Sequence, residues 1–175
     1  MGTSMMIVIQ KDKDVKVAQY FNFDGSPLSE GLGVFKSIKL VDMSNFEKQV
    51  SKCRFFSKEE SSIIKKQMNL PISKVTIDIP NSLMQPADKF IDFIDESKKE
   101  KLIFINEIEA LDYVNYVYFI NFDTNSYEIY YNKFSQYDCN KECLKIGDIK
   151  YTTFKRIFHS NLSNLCSLKE YKESL

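Results

Sequence analysis

The chain has 175 residues, of which 43% are hydrophobic and 27% charged, and 24 basic residues balance 24 acidic ones. This composition is typical of one globular domain and excludes the disordered, collagen-like and coiled-coil classes. A net charge of zero argues against a protein that coats nucleic acid or anionic membrane, and no apolar run approaches the roughly 18 residues of a membrane-spanning helix.

The histidine and cysteine content limits the metal chemistry. His159 is the only histidine, which excludes every metal site that needs several histidines. We expect the four cysteines to be separate reduced thiols. A zinc site is the alternative, and it would need Cys53, Cys166 or His159 to converge on Cys139 and Cys143. We predict no cofactor.

The first part of the chain predicts a β-hairpin over residues 5–23. An apolar run precedes the charged turn 11–14, and β-branched and aromatic residues follow it. Residues 24–27 predict a turn, because aspartate, glycine and proline each favour turn geometry. We expect residues 1–4 to be a remnant of an expression vector.

Apolar spacing and capping signals predict five helices. Capping boxes begin at Ser44 and Ser57, each with a glutamate three residues later. The clearest helix follows Pro86, where apolar residues recur at i, i+3, i+4 and i+7. The tail 169–175 is expected to fray. The predicted helices cover residues 31–42, 45–54, 58–68, 86–97 and 153–166.

A second hairpin is predicted over residues 113–131. Tyr, Val, Phe and Ile dominate both arms, and a polar turn at 123–125 separates them. Residues 144–151 suggest another strand, and the proline-bounded segment 70–80 stays ambiguous between a strand and a short edge piece. We therefore predict an α+β fold, a mostly antiparallel sheet built from two hairpins and covered by amphipathic helices, in a single domain over residues 5–168.

The segment 19–33 is the most informative part of the sequence. It holds three of the five glycines of the chain among aromatic side chains. Glycine-rich loops before a helix can bind anions through backbone N–H groups. However, the Walker ending and the third glycine of a dinucleotide-binding fingerprint are absent. A stiff connection between a strand and a helix is the simpler interpretation.

The same segment carries a resemblance to a known family. Its Val-Ala-Gln-Tyr, then Phe-Asp-Gly-x-Pro and a later glycine, resemble a pattern of small proteins encoded mostly by phages and mobile elements of low-GC Gram-positive bacteria. Phe23 stands where that family usually has tryptophan, and Ser26 where it has tyrosine. The hairpin 118–130 is similar to the second motif of the family. The resemblance implies a small phage-type protein and no catalytic residue.

Several small phage proteins of this size block bacterial antiviral defences by binding a defence protein or capturing its nucleotide signal. By that analogy we predict an anti-CRISPR-like inhibitor that binds a host defence protein or ribonucleoprotein in the bacterial cytoplasm. Its binding surface would combine the Asp24 loop with exposed aromatic residues of the second hairpin. The predicted contact residues are Gln19, Tyr20, Phe23, Asp24, Gly25, Pro27, Gly31, Tyr116, Tyr118 and Tyr127.

Two other functions stay open. One is a binder of a nucleotide or another small molecule that sequesters a defence signal, with Gly31 and Gly33 donating backbone amides and an aromatic ring stacking on a base. The other is a metal-dependent nuclease that uses the carboxylates of residues 88–96 with Glu107 and Glu109. A solvated helix face explains those carboxylates more simply. For partners, we predict no membrane and leave a homodimer open.

Overall fold

A computed structural model describes residues 3–22, 24–57, 59–60, 86–98, 102–104, 106–134 and 143–175. This part of the chain contains a six-stranded sheet, a separate pair of short strands and several α-helices, which confirms the α+β class. Among the described residues, no helix has the length and apolar character needed to cross a membrane.

The strands are β1 (Met5–Lys11), β2 (Asp14–Phe21), β3 (Cys53–Phe55), β4 (Leu102–Phe104), β5 (Tyr116–Asn121), β6 (Ser126–Asn132), β7 (Cys143–Ile146) and β8 (Ile149–Asn161). The described helices with complete bounds are α1 (Glu30–Leu40), α2 (Met43–Ser51), α3 (Ala87–Asp95) and α4 (Leu168–Glu173), with a 3₁₀ helix at Ile108–Tyr113. Both predicted hairpins are confirmed, as β1–β2 and β5–β6.

The large sheet is mixed, which corrects the prediction of a sheet built from two antiparallel hairpins. Its strand order is β2-β1-β5-β6-β8-β7, and β1 pairs with β5 in parallel while the other neighbours are antiparallel. The long segment between β2 and β5 returns the chain to the same end of the sheet, as a parallel pair requires. A third hairpin, β7–β8, widens the sheet beyond the two predicted ones.

Three of the predicted helices are confirmed as α1, α2 and α3. The cap of α2 differs from the expected serine. Asp42 is the N-cap residue, because its carboxylate accepts hydrogen bonds from the backbone N–H groups of Ser44 (2.9 Å) and Asn45 (3.2 Å).

The second predicted capping box is formed. The Ser57 hydroxyl accepts a hydrogen bond from the Glu60 backbone N–H, and the Glu60 carboxylate accepts one from the Ser57 N–H. Most of the predicted helix 58–68 and all of the ambiguous segment 70–80 lie outside the described residues.

The predicted helix over residues 153–166 is wrong, because the long strand β8 occupies most of that span. Phe154 and Phe158 have helical i, i+4 spacing, but they pack on opposite faces of the sheet. An irregularity in the β6–β8 pairing, between Ile129 and Tyr130 on β6, shifts the register and allows this. Because this irregularity interrupts the alternation of apolar and polar residues along β8, the spacing of its apolar residues resembles that of a helix.

The strand β1 is buried on both faces of the sheet. Met5, Ile7 and Ile9 pack in the cluster that includes residues of α1, α2 and α3, and we call this side the helical face. Met6 and Val8 pack on the opposite side, the inner face. A strand that is covered on both sides has a continuous apolar sequence rather than an alternating one, as β1 does.

Ser4 contacts the folded structure, whereas the origin of residues 1–4 in a vector stays a prediction, and the tail that was expected to fray forms α4 over Leu168–Glu173. Ser4 is buried, and its backbone N–H donates to the Asn115 side chain at 3.0 Å. At the other end, the Tyr171 side chain of α4 is buried, and its hydroxyl donates to the Pro27 carbonyl at 2.9 Å.

The burial of Tyr171 yields a first prediction. We expect Tyr171→Ala to lower the free energy of unfolding by about 3–5 kcal/mol, because it opens a cavity beneath an aromatic cluster. Urea denaturation followed by circular dichroism measures the change. Lys172→Ala, at the exposed neighbouring position, is the control and should stay within about 0.5 kcal/mol. Equal small effects for both variants would mean that α4 does not dock.

Candidate functional site

The predicted binding loop, between β2 and α1, is anchored to the sheet. The Gly25 backbone N–H donates to the Thr3 carbonyl at 2.7 Å, and the Gly25 carbonyl accepts a hydrogen bond from the Tyr118 hydroxyl at 2.7 Å. The hydroxyl of Tyr171 holds the Pro27 carbonyl in the same way. Gly25 and Pro27 are both buried. Much of this motif therefore has a packing role.

Two glycines of this segment stand where a side chain would clash. A Cβ atom on Gly31 would lie 2.1 Å from the Tyr118 hydroxyl oxygen, and one on Gly25 would lie 2.6 Å from the Met5 Cβ. Real Cβ atoms do not approach other atoms so closely. These glycines let the loop and the first turn of α1 contact the sheet directly.

The backbone amides of the loop do not form the expected anion site. The Gly31 N–H donates to the Ser26 carbonyl at 3.1 Å, and the Gly33 N–H donates to the Ser29 carbonyl at 3.4 Å. Because both donors are used within the segment, the predicted donation of these amides to a nucleotide is wrong for this conformation.

Part of the predicted surface does face solvent. Asp24 is exposed, and the Thr3 hydroxyl donates to its carboxylate at 2.7 Å, which lowers the pKa of Asp24. The Tyr116 and Tyr131 rings pack at a centroid distance of 5.3 Å. Burial, with smaller contributions from Tyr131 and Asp24, raises the pKa of Tyr116. We call Asp24, Tyr116 and Tyr131 the Asp24–Tyr116 surface.

Two of the predicted contact tyrosines are absent from the surface. Tyr118 and Tyr127 are fully buried on the helical face. The Tyr118 hydroxyl is bonded to the loop, whereas the Tyr127 hydroxyl has no hydrogen-bond partner among the described residues. Neither residue is accessible to a binding partner.

Gln19 and Tyr20 lie on β2, the strand at the edge of the large sheet. The Gln19 side chain is buried and donates to the Glu107 carboxylate at 2.5 Å, and the Tyr20 backbone N–H donates to the same carboxylate at 2.7 Å. Burial raises the pKa of Glu107, and these two hydrogen bonds oppose the rise. Glu107 therefore provides a hydrogen-bond acceptor for the edge strand of the sheet. Phe23 lies outside the described residues.

The carboxylates of the nuclease hypothesis are engaged separately. Asp95 accepts a hydrogen bond from the Asn45 side chain at 3.0 Å, Asp92 lies 3.5 Å from the Lys89 ammonium, and Glu107 is bonded to β2. Among the residues that the structure describes, no three His, Cys, Asp or Glu side chains form a group that could hold a metal ion. The described carboxylates therefore do not form the metal site that a nuclease would need.

The cysteines differ from one another. Cys53 and Cys166 are free, and burial raises the pKa of the Cys53 thiol to about 12. Cys143 is disulfide-bonded, so the expectation of four separate reduced thiols is wrong at this position. Cys139 lies outside the described residues.

A polar cleft of about 340 Å³ opens on the inner face of the sheet. Its lining includes Gln10, Asn121, Ser126, Glu128, Tyr130 and His159. These residues come from β1, β5, β6 and β8. The cleft is therefore a product of the whole sheet and not of one loop.

The curl of the sheet creates this cleft. Three strands separate β1 from β7, yet the Gly147 backbone N–H of the β7–β8 turn donates to the Gln10 side-chain carbonyl at 3.1 Å. This hydrogen bond ties the turn back towards β1 across the inner face. The mouths of β-barrels are common ligand sites, and a strongly curled sheet provides a similar concave space.

Three side chains of the cleft lining converge with Arg156, which contacts Glu128 from outside the lining. The pairing of β6 with β8 sets Glu128 opposite His159, and Tyr130 opposite Arg156. The Tyr130 hydroxyl donates to one carboxylate oxygen of Glu128, Oε2. The other oxygen, Oε1, lies 3.5 Å from Arg156 Nη1 and 3.9 Å from His159 Nε2. We call these four residues the Glu128 cluster.

The two carboxylate oxygens of Glu128 have different surroundings. Burial, assisted by the contact with Glu128, raises the pKa of the Tyr130 phenol, so the phenol stays protonated and donates to Oε2. Oε1 accepts one long hydrogen bond, from Arg156 Nη1 at 3.5 Å, although the Glu128 side chain is only 12% exposed. Oε1 is therefore an acceptor that a ligand can complete.

Sequence reasoning missed the Glu128 cluster. His159 was assigned to a helix that does not form, and Glu128 lies inside the predicted aromatic hairpin. The available signal was Glu128 itself, a carboxylate between apolar neighbours at the centre of a strand. A charge in such a position needs a specific partner.

In comparisons with known proteins, no family model, curated protein or solved structure matches this chain.

The two buried tyrosines yield a second prediction. Tyr118→Phe should lower the free energy of unfolding by about 1–3 kcal/mol, because it leaves the buried Gly25 carbonyl without its hydrogen bond. Tyr127→Phe removes a buried hydroxyl that has no described partner, so stability should stay equal or rise. Urea denaturation of both variants measures the difference. Equal losses would contradict the distinct roles of these hydroxyls.

Proposed function

We propose that this protein binds a small polar molecule in the cleft of its inner face. The observation that carries the proposal is the Glu128 carboxylate. It is almost buried in a concave site, and its Oε1 atom has only long contacts among the described residues. A volume of about 340 Å³ is near the lower end of the range for small-molecule sites, roughly 300–1,000 Å³, and suits a compact ligand.

A purely structural role explains the Glu128 cluster less well. A charge that is removed from water needs close hydrogen bonds to offset its lost hydration. Tyr130 supplies such a bond to Oε2, but Arg156 and His159 stay at 3.5 and 3.9 Å from Oε1. A bound molecule that donates to Oε1 would add a closer hydrogen bond than the one from Arg156.

This proposal keeps the small-molecule function predicted from the sequence and assigns it to another site. The amides of Gly31 and Gly33 are bonded within their own segment, whereas the cleft offers a partly satisfied carboxylate. Sequestration of a defence signal by a phage-encoded protein remains the biological context that we propose for the binding.

The third prediction concerns occupancy of the cleft. The probes are a panel of nucleosides, monosaccharides and amino acids, and amide shifts in ¹⁵N spectra report binding. We expect at least one compound to shift the signals of Ser126, Glu128 and His159. Thr124→Trp should abolish these shifts, because Thr124 lines the cleft and is exposed.

The matched control is Thr152→Trp, at an exposed position of β8 that is not part of the lining. It should leave the shifts unchanged. The proposal fails if no compound in the panel shifts the signals of the cleft, or if the shifts persist in Thr124→Trp.

A second candidate function is binding of a host defence protein or ribonucleoprotein in the bacterial cytoplasm. The Asp24–Tyr116 surface favours it, because Tyr131 is 38% exposed beside Tyr116 and an exposed carboxylate. Exposed tyrosines are frequent anchors of protein interfaces. Asp24 and Tyr116 belong to the predicted contact residues, and Tyr131, which was not predicted, lies beside them.

The fourth prediction tests this surface. The tagged protein is mixed with purified defence complexes of low-GC Gram-positive bacteria, and co-elution is measured. We expect Tyr131→Ser to reduce co-elution, whereas Ile149→Ser should not. Ile149 is also exposed, but it lies at the opposite end of the sheet, beside the turn that contacts Gln10. The absence of a stable complex with any defence component would argue against this function.

A further inference from the structure

The groups of the Glu128 cluster have complementary hydrogen-bonding roles. Oε1 of Glu128 is an acceptor, while the guanidinium of Arg156 is a donor. The imidazole of His159 donates from one or both nitrogens, depending on its protonation state. Because both nitrogen atoms lie within 4 Å of the same oxygen, the acceptor and the donors stand side by side.

Charges of both signs lie in and beside the cleft, because Lys145 and Glu128 line it and Arg156 contacts Glu128. Arg156 is positive and Glu128 is negative, and they lie close together, so they largely offset each other. An anionic ligand placed here would meet the Glu128 carboxylate, and a cationic one would meet the Arg156 guanidinium. A neutral polar edge avoids both unfavourable contacts and can pair with the acceptor and the donors at the same time.

The hydrogen bond from Tyr130 limits which oxygen of Glu128 a ligand can use. Tyr130 already donates to Oε2, which leaves Oε1 as the oxygen with the weaker contacts. The ligand therefore presents one donor to Oε1 and an acceptor beside it. Nitrogen heterocycles carry this combination on one edge, as an amino or N–H group next to a ring nitrogen or carbonyl.

The walls of the cleft suit a planar ring. The aromatic residues Phe119 and Tyr130 line it beside the polar side chains. Heterocycles of the nucleobase type combine an apolar face with a polar edge. A site that binds them therefore needs an aromatic surface for the face and polar side chains for the edge.

We infer that the cleft binds a neutral nucleobase-type heterocycle by its polar edge. An amino or ring N–H group of the ligand donates to Glu128 Oε1, and the adjacent acceptor receives a hydrogen bond from His159, which also lines the cleft. This inference rests on the proposed function of the cleft and names the chemical class of its ligand.

The experiment is a calorimetric titration with adenosine, guanosine, cytidine and uridine, and with ribose as the control that lacks a base. We expect at least one nucleoside to bind and ribose not to bind. Glu128→Gln should weaken binding about tenfold, since a charge-assisted hydrogen bond is replaced by a neutral one. His159→Gln changes a side chain that is 53% exposed, so it tests the contact of His159 with the polar edge of the ligand with little risk to the fold.

The matched control is Glu173→Gln, an exposed carboxylate of α4 outside the lining of the cleft. It should bind the nucleoside like the wild type. The inference is overturned if nucleosides bind Glu128→Gln and the wild type equally well. It is also overturned if only sugars or amino acids shift the signals of the cleft, and in that case the proposed function still holds. If nothing from either panel binds, both ideas fail.

Discussion

The contact of Tyr118 with the segment that enters α1 determines much of this architecture. The Tyr118 hydroxyl donates to the Gly25 carbonyl and occupies the space where Gly31 would otherwise carry a side chain. The phenol is fully buried, so the loop and the first turn of α1 are held against β5. A segment fixed in this way has little freedom to serve as a separate binding loop.

The two faces of the sheet differ in the elements that cover them. Helices and buried tyrosines fill the helical face, where β1 also contributes Met5 and Ile7. The inner face is covered in part by the 3₁₀ helix, through Leu111, and it curls until the β7–β8 turn reaches Gln10. The polar cleft lies on this inner face, away from the segment 19–33.

The sequence predicted the local elements better than their assembly. Hairpins and helices depend on nearby residues, so β1–β2, β5–β6 and α1 were found, whereas the parallel β1–β5 contact joins residues more than 100 positions apart. The long strand β8 was mistaken for a helix because an irregular register breaks its alternation. The candidate site was missed for the same reason: Glu128 and His159 meet only through the β6–β8 pairing. Gly25 and Gly31 were predicted as binding residues, whereas the structure shows that both pack closely against the sheet.

The most direct test of this account is the stability of Gly31→Ala. An alanine in the first turn of an unconstrained helix should raise the free energy of unfolding by about 0.5–1 kcal/mol, because glycine disfavours helices. If α1 is instead pressed against Tyr118, the added methyl group overpacks the contact and stability should fall by about 1–3 kcal/mol. A measured decrease supports the anchored loop, and a measured increase contradicts it.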